Sequence, residues 1–351
     1  MKSILFTVLT VLLALQNLLA LPKFSISEGK SCQSCHINPS GGGMRTEEGM
    51  KYGSQILPVN DWMKEFEVAY PANKITDFLS VGTDVETLYK RTKNEVNEIA
   101  EGAQLYQANL YIDLTLAKNV FIYSCFGIDE KNEFFGLVKL PSLNSSLMIG
   151  KFVPNYGLKI EDEFSFIRSR LDLSWESGNP ASPGAQINFS PSGWVISGGI
   201  YTGPLQGIGT EYVGKIEKYL SPMENFNALI GVNIMRRTEF QSTIYGGYIV
   251  TGYKSLSVSG ETDIISTSGV KGLVSYLEGS VQITSGLNAF ISYDYFDPDT
   301  DLSTGSLSRY NFGASFYPIQ GVKTRVSYSI LKDTKADQDG NELRVLFHFY
   351  F

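Results

Sequence analysis

From about Thr76 to the C-terminus the chain is a succession of runs, each about ten residues long, in which apolar and polar side chains alternate. In one run Tyr106, Ala108, Leu110, Ile112, Leu114 and Leu116 share a face, and Gln107, Asn109, Tyr111, Asp113 and Thr115 share the other. In another, Phe226, Ala228, Ile230, Val232 and Ile234 oppose Asn225, Asn227, Gly231 and Asn233. The runs 287–295 and 322–330 behave the same way. A period of two is the pattern of strands with two different faces, so the chain is read as all-β. A soluble sandwich and a membrane barrel both satisfy that pattern.

Run length and run ends favour the barrel. About ten residues is what a tilted strand needs to cross a bilayer. Aromatic residues recur at run ends (Tyr219, Tyr248, Tyr295, Phe316, Tyr317), as interfacial girdles require. The chain closes on alternating Leu343, Val345, Phe347, Phe349 and Phe351, which resembles the C-terminal signature of bacterial outer-membrane proteins. Aromatics make up 13% and charged residues only 19% of the chain, yet mean hydropathy is near zero, the average expected of lipid-facing and water-facing positions in alternation. After the first 25 residues there is no apolar run of about 20, so helical spans are excluded. The expected fold is a transmembrane antiparallel barrel of about sixteen strands, with fourteen as the alternative. With sixteen, the connections fall into two sets. One is short: 118–119, 191–193, 221–223, 284–286 and 318–321. The other holds the longest: 91–102, 153–183, 297–305 and 332–341. Short turns on one side and long loops on the other is the outer-membrane asymmetry. The loop 153–183, with Glu161, Asp162 and Glu163, is a candidate to fold inward and narrow the pore.

The N-terminus reads as a secretory signal: Lys2, an apolar stretch from Ile4 to Leu15, and a cleavage position at Ala20. The division is therefore 1–20 signal, 21–75 N-terminal segment and 76–351 barrel. A net charge of −7 without a basic stripe argues against nucleic acid as a partner.

The segment after the signal carries Cys32-Gln33-Ser34-Cys35-His36, the C-x-x-C-H pattern of c-type haem attachment. Two intervening residues let both thiols reach the vinyl groups of one haem, and the adjacent histidine is placed to ligate its iron. Competing readings fare worse. No βαβ context supports a thioredoxin-like pair, and with two histidines in the chain, His36 and His348, a zinc site lacks ligands. A disulfide across two residues would be strained. The third cysteine, Cys125, is read as a buried thiol among Phe121, Tyr123 and Phe126.

Gly41, Gly42 and Gly43 follow the motif and allow a tight turn close to a flat ligand. Met44, next in sequence, leads as second axial ligand, with Met50, Met63 and His348 as rivals. His348 belongs with them because it faces opposite to Phe347 and Phe349, into the lumen near the end of the last strand. A segment of roughly 50 residues buries a haem poorly by itself. A barrel of about sixteen strands is wide enough to house it, in the lumen or at its periplasmic mouth. Asp297, Asp299, Asp301, Asp333, Asp337 and Asp339 fall on outer loops, where carboxylates suit ferrous iron or are simply solvated.

Signal, one C-x-x-C-H, then a barrel to a terminal phenylalanine resembles the fused monohaem cytochrome–porins of bacterial outer membranes, and the stretch from Asn38 to Arg45 is similar to sequences of that group. The resemblance implies Cys32 and Cys35 as haem attachment, His36 as proximal ligand and one haem c as cofactor. It also implies outer-membrane lipid, a periplasmic cytochrome c and an extracellular redox partner such as ferrous iron as contacts. Two other classes stay open: a diffusion porin that the N-terminal segment plugs or gates, and a haem enzyme or sensor.

Overall fold

The computed structural model describes residues 35–59, 73–94, 98–128, 131–203, 209–334 and 339–351. The signal segment, Cys32, Met63 and Asp337 lie outside the described residues. The strands are β1 (Leu79–Asn94), β2 (Ile99–Ala117), β3 (Val120–Gly127), β4 (Glu133–Leu140), β5 (Ser145–Phe152), β6 (Ser182–Phe189), β7 (Trp194–Thr202) and β8 (Thr210–Met223). They continue with β9 (Phe226–Arg237), β10 (Ser242–Tyr253), β11 (Leu256–Thr267), β12 (Val270–Thr284), β13 (Leu287–Asp297), β14 (Leu307–Phe316), β15 (Val322–Asp333) and β16 (Gly340–Tyr350). Each pairs antiparallel with its sequence neighbour, and β1 pairs with β16, closing a barrel of 16 strands. Closure gives every strand two partners and leaves no edge, the condition for a sheet to survive in hydrocarbon.

The barrel is inverted relative to a soluble protein. Ile230, Val232 and Ile234 on β9 are exposed on the outside, whereas Asn233 and Arg237 are buried inside. Phe347, Phe349 and Phe351 face out, and His348 is buried in the lumen as the alternation predicts. An arginine at Val232 places a charge at mid-strand on the lipid face. Val232→Arg is expected to destabilise the barrel by about 2–4 kcal/mol, measured by denaturant unfolding in lipid vesicles.

Four sequence expectations are corrected. Tyr106 faces inward, not to lipid. A bulge sets Glu86 opposite Gln107 but Thr87 opposite Leu105, so Tyr106 is the extra residue and the phase of β2 flips there. Its ring stacks on Phe164 at 5.7 Å between centroids, and Leu105 takes the outer face. Tyr248 and Tyr317 are buried rather than interfacial; Tyr248 lies directly opposite Gly231 and fills the space over it. Exposed aromatics instead ring the two ends: Tyr212, Tyr245 and Tyr310 at the starts of β8, β10 and β14, and Phe189, Trp194 and Phe349 at the opposite rim. The expected long loop 91–102 is mostly strand, because β1 and β2 stay paired to Asn94 and Ile99 and leave only 95–98 between them. Arg91–Glu101 (3.4 Å) and Asn94–Glu98 (2.9 Å) pair across this extension. Strand β8 also runs through the expected turn 221–223: after an irregularity beyond Leu220, Met223 pairs with Phe226, and the chain turns at 224–225.

The loop 153–181 between β5 and β6 does fold inward. Tyr156, Leu158, Phe166 and Ile167 are buried, and a short helix α2 (Phe166–Ser169) packs against β11, β12 and β13.

Candidate functional site in the lumen

Residues 35–46 form a small antiparallel turn inside the barrel. His36 pairs with Arg45 across an isolated bridge, Ile37 N–H donates to the Met44 carbonyl (3.0 Å) and Thr46 N–H to the Cys35 carbonyl (3.0 Å). At the tip Gly41, Gly42 and Gly43 have φ of 85°, 78° and 63°, a run of left-handed conformations that residues with a Cβ adopt at a cost. A Cβ on Gly43 would also lie 2.4 Å from the Tyr123 hydroxyl. The glycines turn the chain tightly, as the sequence suggests, and what the chain approaches at Gly43 is the Tyr123 side chain of the wall.

Thr46 then caps helix α1 (Glu47–Gln55), its side chain accepting from Gly49 N–H at 3.2 Å, with Glu47 and Glu48 in the first turn where the helix dipole favours them. Helix and turn pack so closely that a Cβ on Gly49 would fall 2.1 Å from the Cys35 carbonyl oxygen. Gly49→Ala is thus expected to push the Cys35–His36 arm off the helix. Limited proteolysis of the folded barrel should then cut the N-terminal segment faster than in wild type, with barrel unfolding unchanged.

The segment is fastened to the wall at several points. Asn73 Nδ2 donates to the Arg45 carbonyl (2.7 Å), Lys159 Nζ to the Gly41 carbonyl (2.8 Å), Gln186 Nε2 to the Ser40 hydroxyl (3.2 Å) and Val59 N–H to the Tyr317 carbonyl (3.1 Å). The Arg45 guanidinium lies 4.1 Å over the Tyr350 ring. Tyr317 belongs to the turn between β14 and β15 and Tyr350 to the end of β16, so the segment lies in the half of the lumen nearest the chain termini.

Cys35 and His36 line a cavity of about 450 Å3 with Leu88, Tyr106, Phe164 and His348. That volume lies in the ~300–1,000 Å3 range of pockets that hold small molecules and cofactors. The His36 Nδ1–H donates to the Gly43 carbonyl at 3.3 Å, which leaves the Nε2 lone pair uncommitted by that bond. Burial first, and the nearby Arg45 second, hold the His36 pKa down at about 4, so the imidazole is neutral near pH 7. Apolar side chains line the cavity together with charged groups of both signs, among them Lys131, Arg325 and Arg344 and the acids Glu133, Glu163 and Glu278.

The structure does not bring all the candidate ligands together. Met44 is buried beside Gly82, Tyr111 and Tyr123, and Met50 is buried too; neither lines the cavity. His348 lines it, opposite Glu86 on β1 and Lys323 on β15. Its Nε2–H donates to Asp84 Oδ1 at 2.7 Å, and its Nδ1 lies 3.3 Å from Glu86 Oε1. The Tyr111 hydroxyl donates to the other Asp84 oxygen at 2.6 Å. Asp84 and Glu86 were missed from the sequence. The signal was present: two acids at i and i+2 on the first run share a face, and closure must lay that face beside the last strand. Cys125 is a buried thiol that also lines the cavity, as its surroundings suggested, although Phe126 points outward.

The acidic stretch of the inward loop meets a basic row on β14–β16. Asp162 pairs with Arg309 (2.8 Å), and Glu161 with Arg325 (2.8 Å) and Lys323 (3.3 Å). Arg309 also binds Asp294 (2.7 Å), and Arg237 holds the far part of the loop through Asp172 (3.1 Å) and the Leu171 carbonyl (2.8 Å). On β11, Glu261 accepts Leu158 N–H (2.7 Å) and Asp263 accepts the Tyr156 hydroxyl (2.7 Å). Among the described residues no group of three or more His, Cys, Asp or Glu side chains is arranged to hold a bare metal ion. Asp299 and Asp297 instead cap backbone N–H groups of their own loop at 3.1 Å.

A closed 16-stranded barrel, apolar outside and polar inside, with a long loop folded into its lumen, is the fold of an outer-membrane porin. Solved structures bear this out. The anion-selective porin from Comamonas acidovorans superimposes with a TM-score of 0.59 at 11% identity, over 78% of this chain and 99% of that one. OmpT of Vibrio cholerae gives 0.55 at 10% identity, over 80% of this chain and 100% of that one. A BenF-like porin from Pseudomonas fluorescens gives 0.52 at 8% identity, over 79% and 100%. The likeness is one of fold. No protein-family model matches the sequence, and no curated protein does. The barrel and its apolar belt place the chain in outer-membrane lipid.

Proposed function

We propose that this outer-membrane barrel holds one covalent c-type haem in its lumen and passes electrons between a periplasmic carrier and an extracellular partner. The observation that carries the reading is the place of Cys35 and His36: the described end of the C-x-x-C-H run lies on the wall of a luminal cavity. His36 is neutral there, and its Nδ1–H is given to a backbone carbonyl, as metal-ligating histidines commonly give their other ring N–H. Leu88, Ile160, Phe164 and Leu173 on the cavity wall would suit the ring faces, whereas its charged groups are of both signs, with Lys323 and Arg325 already paired to Glu161.

In this reading the Cys32 and Cys35 thiols anchor the haem and His36 ligates its iron. Bound there, haem supplies a one-electron carrier. Gly43 holds the His36 tautomer, the glycine turn seats the segment on the wall, and the inward loop limits water around the cavity. An apolar band about 25 Å tall is too far for one haem at the rim to span, so a site within the lumen shortens the gap that a periplasmic cytochrome c and an external acceptor or donor, such as iron, must close.

A second reading is solute diffusion, and the porin fold of the structures named above favours it. One experiment separates the two. The purified chain is placed in vesicles holding reduced methyl viologen, with ferric citrate outside. Electron transfer carried by wild type and lost in the Cys32→Ala/Cys35→Ala double variant supports the haem reading. Sugar-driven vesicle swelling that is equal in both proteins, with no electron transfer in either, establishes the diffusion porin.

A further inference from the structure

We infer that the upper part of β2 is an open sheet edge that takes up an extended segment of an extracellular protein as an added strand. The haem reading does not enter. Within the bilayer the ladder is closed, but β2 (Ile99–Ala117) far outruns β3 (Val120–Gly127). Pairing between them stops at Asn109 and Gly127, and just above it the Lys131 ammonium caps the Tyr106 carbonyl at 3.0 Å. From Leu105 up to Ile99 the strand pairs with β1 alone among the described residues, in unbroken register from Thr87–Leu105 to Lys93–Ile99. All seven residues of this stretch are exposed, Ile99 at 51% and Leu105 at 52%. Leu105 lies 12 residues from Ala117, at the short-turn end of the strand. At about 3.3 Å per residue and a tilt near 40° that is roughly 30 Å, clear of an apolar band about 25 Å tall. Short turns face the periplasm, so the open edge stands on the extracellular side.

The phase of the ladder says which backbone groups are free. Asn94 N–H donates to the Glu98 carbonyl (3.1 Å), and Thr83 and Phe351 exchange two bonds of 3.0 Å. Bonding alternates along an antiparallel ladder, so even-numbered residues of β1 bond β2 and odd-numbered ones bond β16. On β2, therefore, Ala100, Gly102 and Gln104 bond β1, whereas Ile99, Glu101, Ala103 and Leu105 turn N–H and C=O to the open side. Sheets usually blunt such an edge with lysine, proline or a bulge. Residues 99–105 hold no lysine and no proline, and the bulge at Tyr106 lies below them. An edge of this kind binds a strand through main-chain bonds, and alternate side chains set the specificity. Ile99, Ala103 and Leu105 share the outer face with Glu101, which is 55% exposed beside Arg91. The segment that fits is thus apolar at alternate positions and basic across from Glu101. A second copy of this chain does not fit. Two barrels in one membrane are related by rotation about its normal, so their tilted β2 strands cross instead of lying side by side.

The probe is a labelled peptide with the sequence of residues 87–93, the natural antiparallel partner of this stretch, titrated by fluorescence anisotropy against the whole barrel in detergent. Wild type should bind it. Ala103→Pro, which removes an open-side N–H and none that bonds β1, should bind roughly tenfold more weakly or worse while keeping its heat-dependent migration. In amide hydrogen exchange Glu101 and Ala103 should exchange fast in the free protein, Gly102 and Gln104 slowly, and the peptide should slow the first pair. Binding that survives Ala103→Pro, or that a peptide N-methylated at alternate residues matches, is charge attraction alone and overturns the inference. So does wild type that fails to bind millimolar peptide. Should Ala103→Pro not fold, the N-methylated peptide against wild type decides. Glu101 and Ala103 amides already protected in the free protein also overturn it: the edge is then filled by this chain, or by a second copy if the protein sediments as a dimer.

Discussion

The Cys32→Ala/Cys35→Ala double variant is expected to reach the outer membrane as a folded barrel and to lose all covalently held haem. The two effects separate because the parts are built differently. The barrel stands on a closed ladder of 16 strands, none of which is supplied by the N-terminal turn. The turn is fastened by a handful of hydrogen bonds, each worth roughly 0.5–1.5 kcal/mol net. A haem-stained denaturing gel, run with and without heating, reads both: the heat-dependent shift in migration persists, and the stain at the mature mass disappears. Stain that survives in the double variant means the thiols do not hold the haem.

Asp162→Ala is the second large effect. Asp162 is 7% exposed and bridges Arg309, which is 3% exposed, so the variant leaves a buried guanidinium with Asp294 alone. Breaking a buried pair in this way costs about 3–5 kcal/mol, borne here by the seating of the loop 153–181 in the lumen. Single-channel conductance in planar bilayers should rise relative to wild type. Acid should do the same to wild type. Burial pushes the Asp162 carboxyl upward, but Arg309, Arg344 and Arg325 outweigh it and hold the group below its ordinary value. A depressed folded pKa means the stabilisation is complete above the unfolded value of about 3.9 and is lost as pH falls through the folded one. Conductance should therefore be flat at neutral pH and climb below about pH 4, and Asp162→Asn should lack this increment. A conductance indifferent to both the substitution and acid would mean that the loop is held by other contacts, such as Glu261 with Leu158 N–H.

The strand count, the closure on Phe351 and the inward loop were legible because they follow from period, length and the polarity of alternate residues. What escaped were positions where local geometry breaks the period. Tyr106 follows the alternation of Ala108 and Leu110 in sequence, yet one bulge turns it inward, and nothing in the run announces a bulge. Tyr248 is aromatic at a run end, the usual mark of a girdle, but it lies opposite Gly231, whose missing side chain it replaces. Register decides that, and register belongs to pairs of strands rather than to one. For the luminal site, the glycine turn could be read directly, and the motif singled out Cys35 and His36. The neighbours could not: Asp84, Glu86 and His348 meet only because β1 closes on β16, and Met44, adjacent in sequence, is carried to the wall by the turn that follows His36.

The central claim is tested most directly by measuring haem per folded chain. Wild-type protein is purified from outer membranes as the heat-shifting barrel, and its alkaline pyridine spectrum is set against its protein concentration. The account predicts the spectrum of a haem joined through two thioethers, at one per chain. A folded barrel with no such spectrum would contradict it and leave a porin whose Cys35 and His36 line the lumen for another purpose.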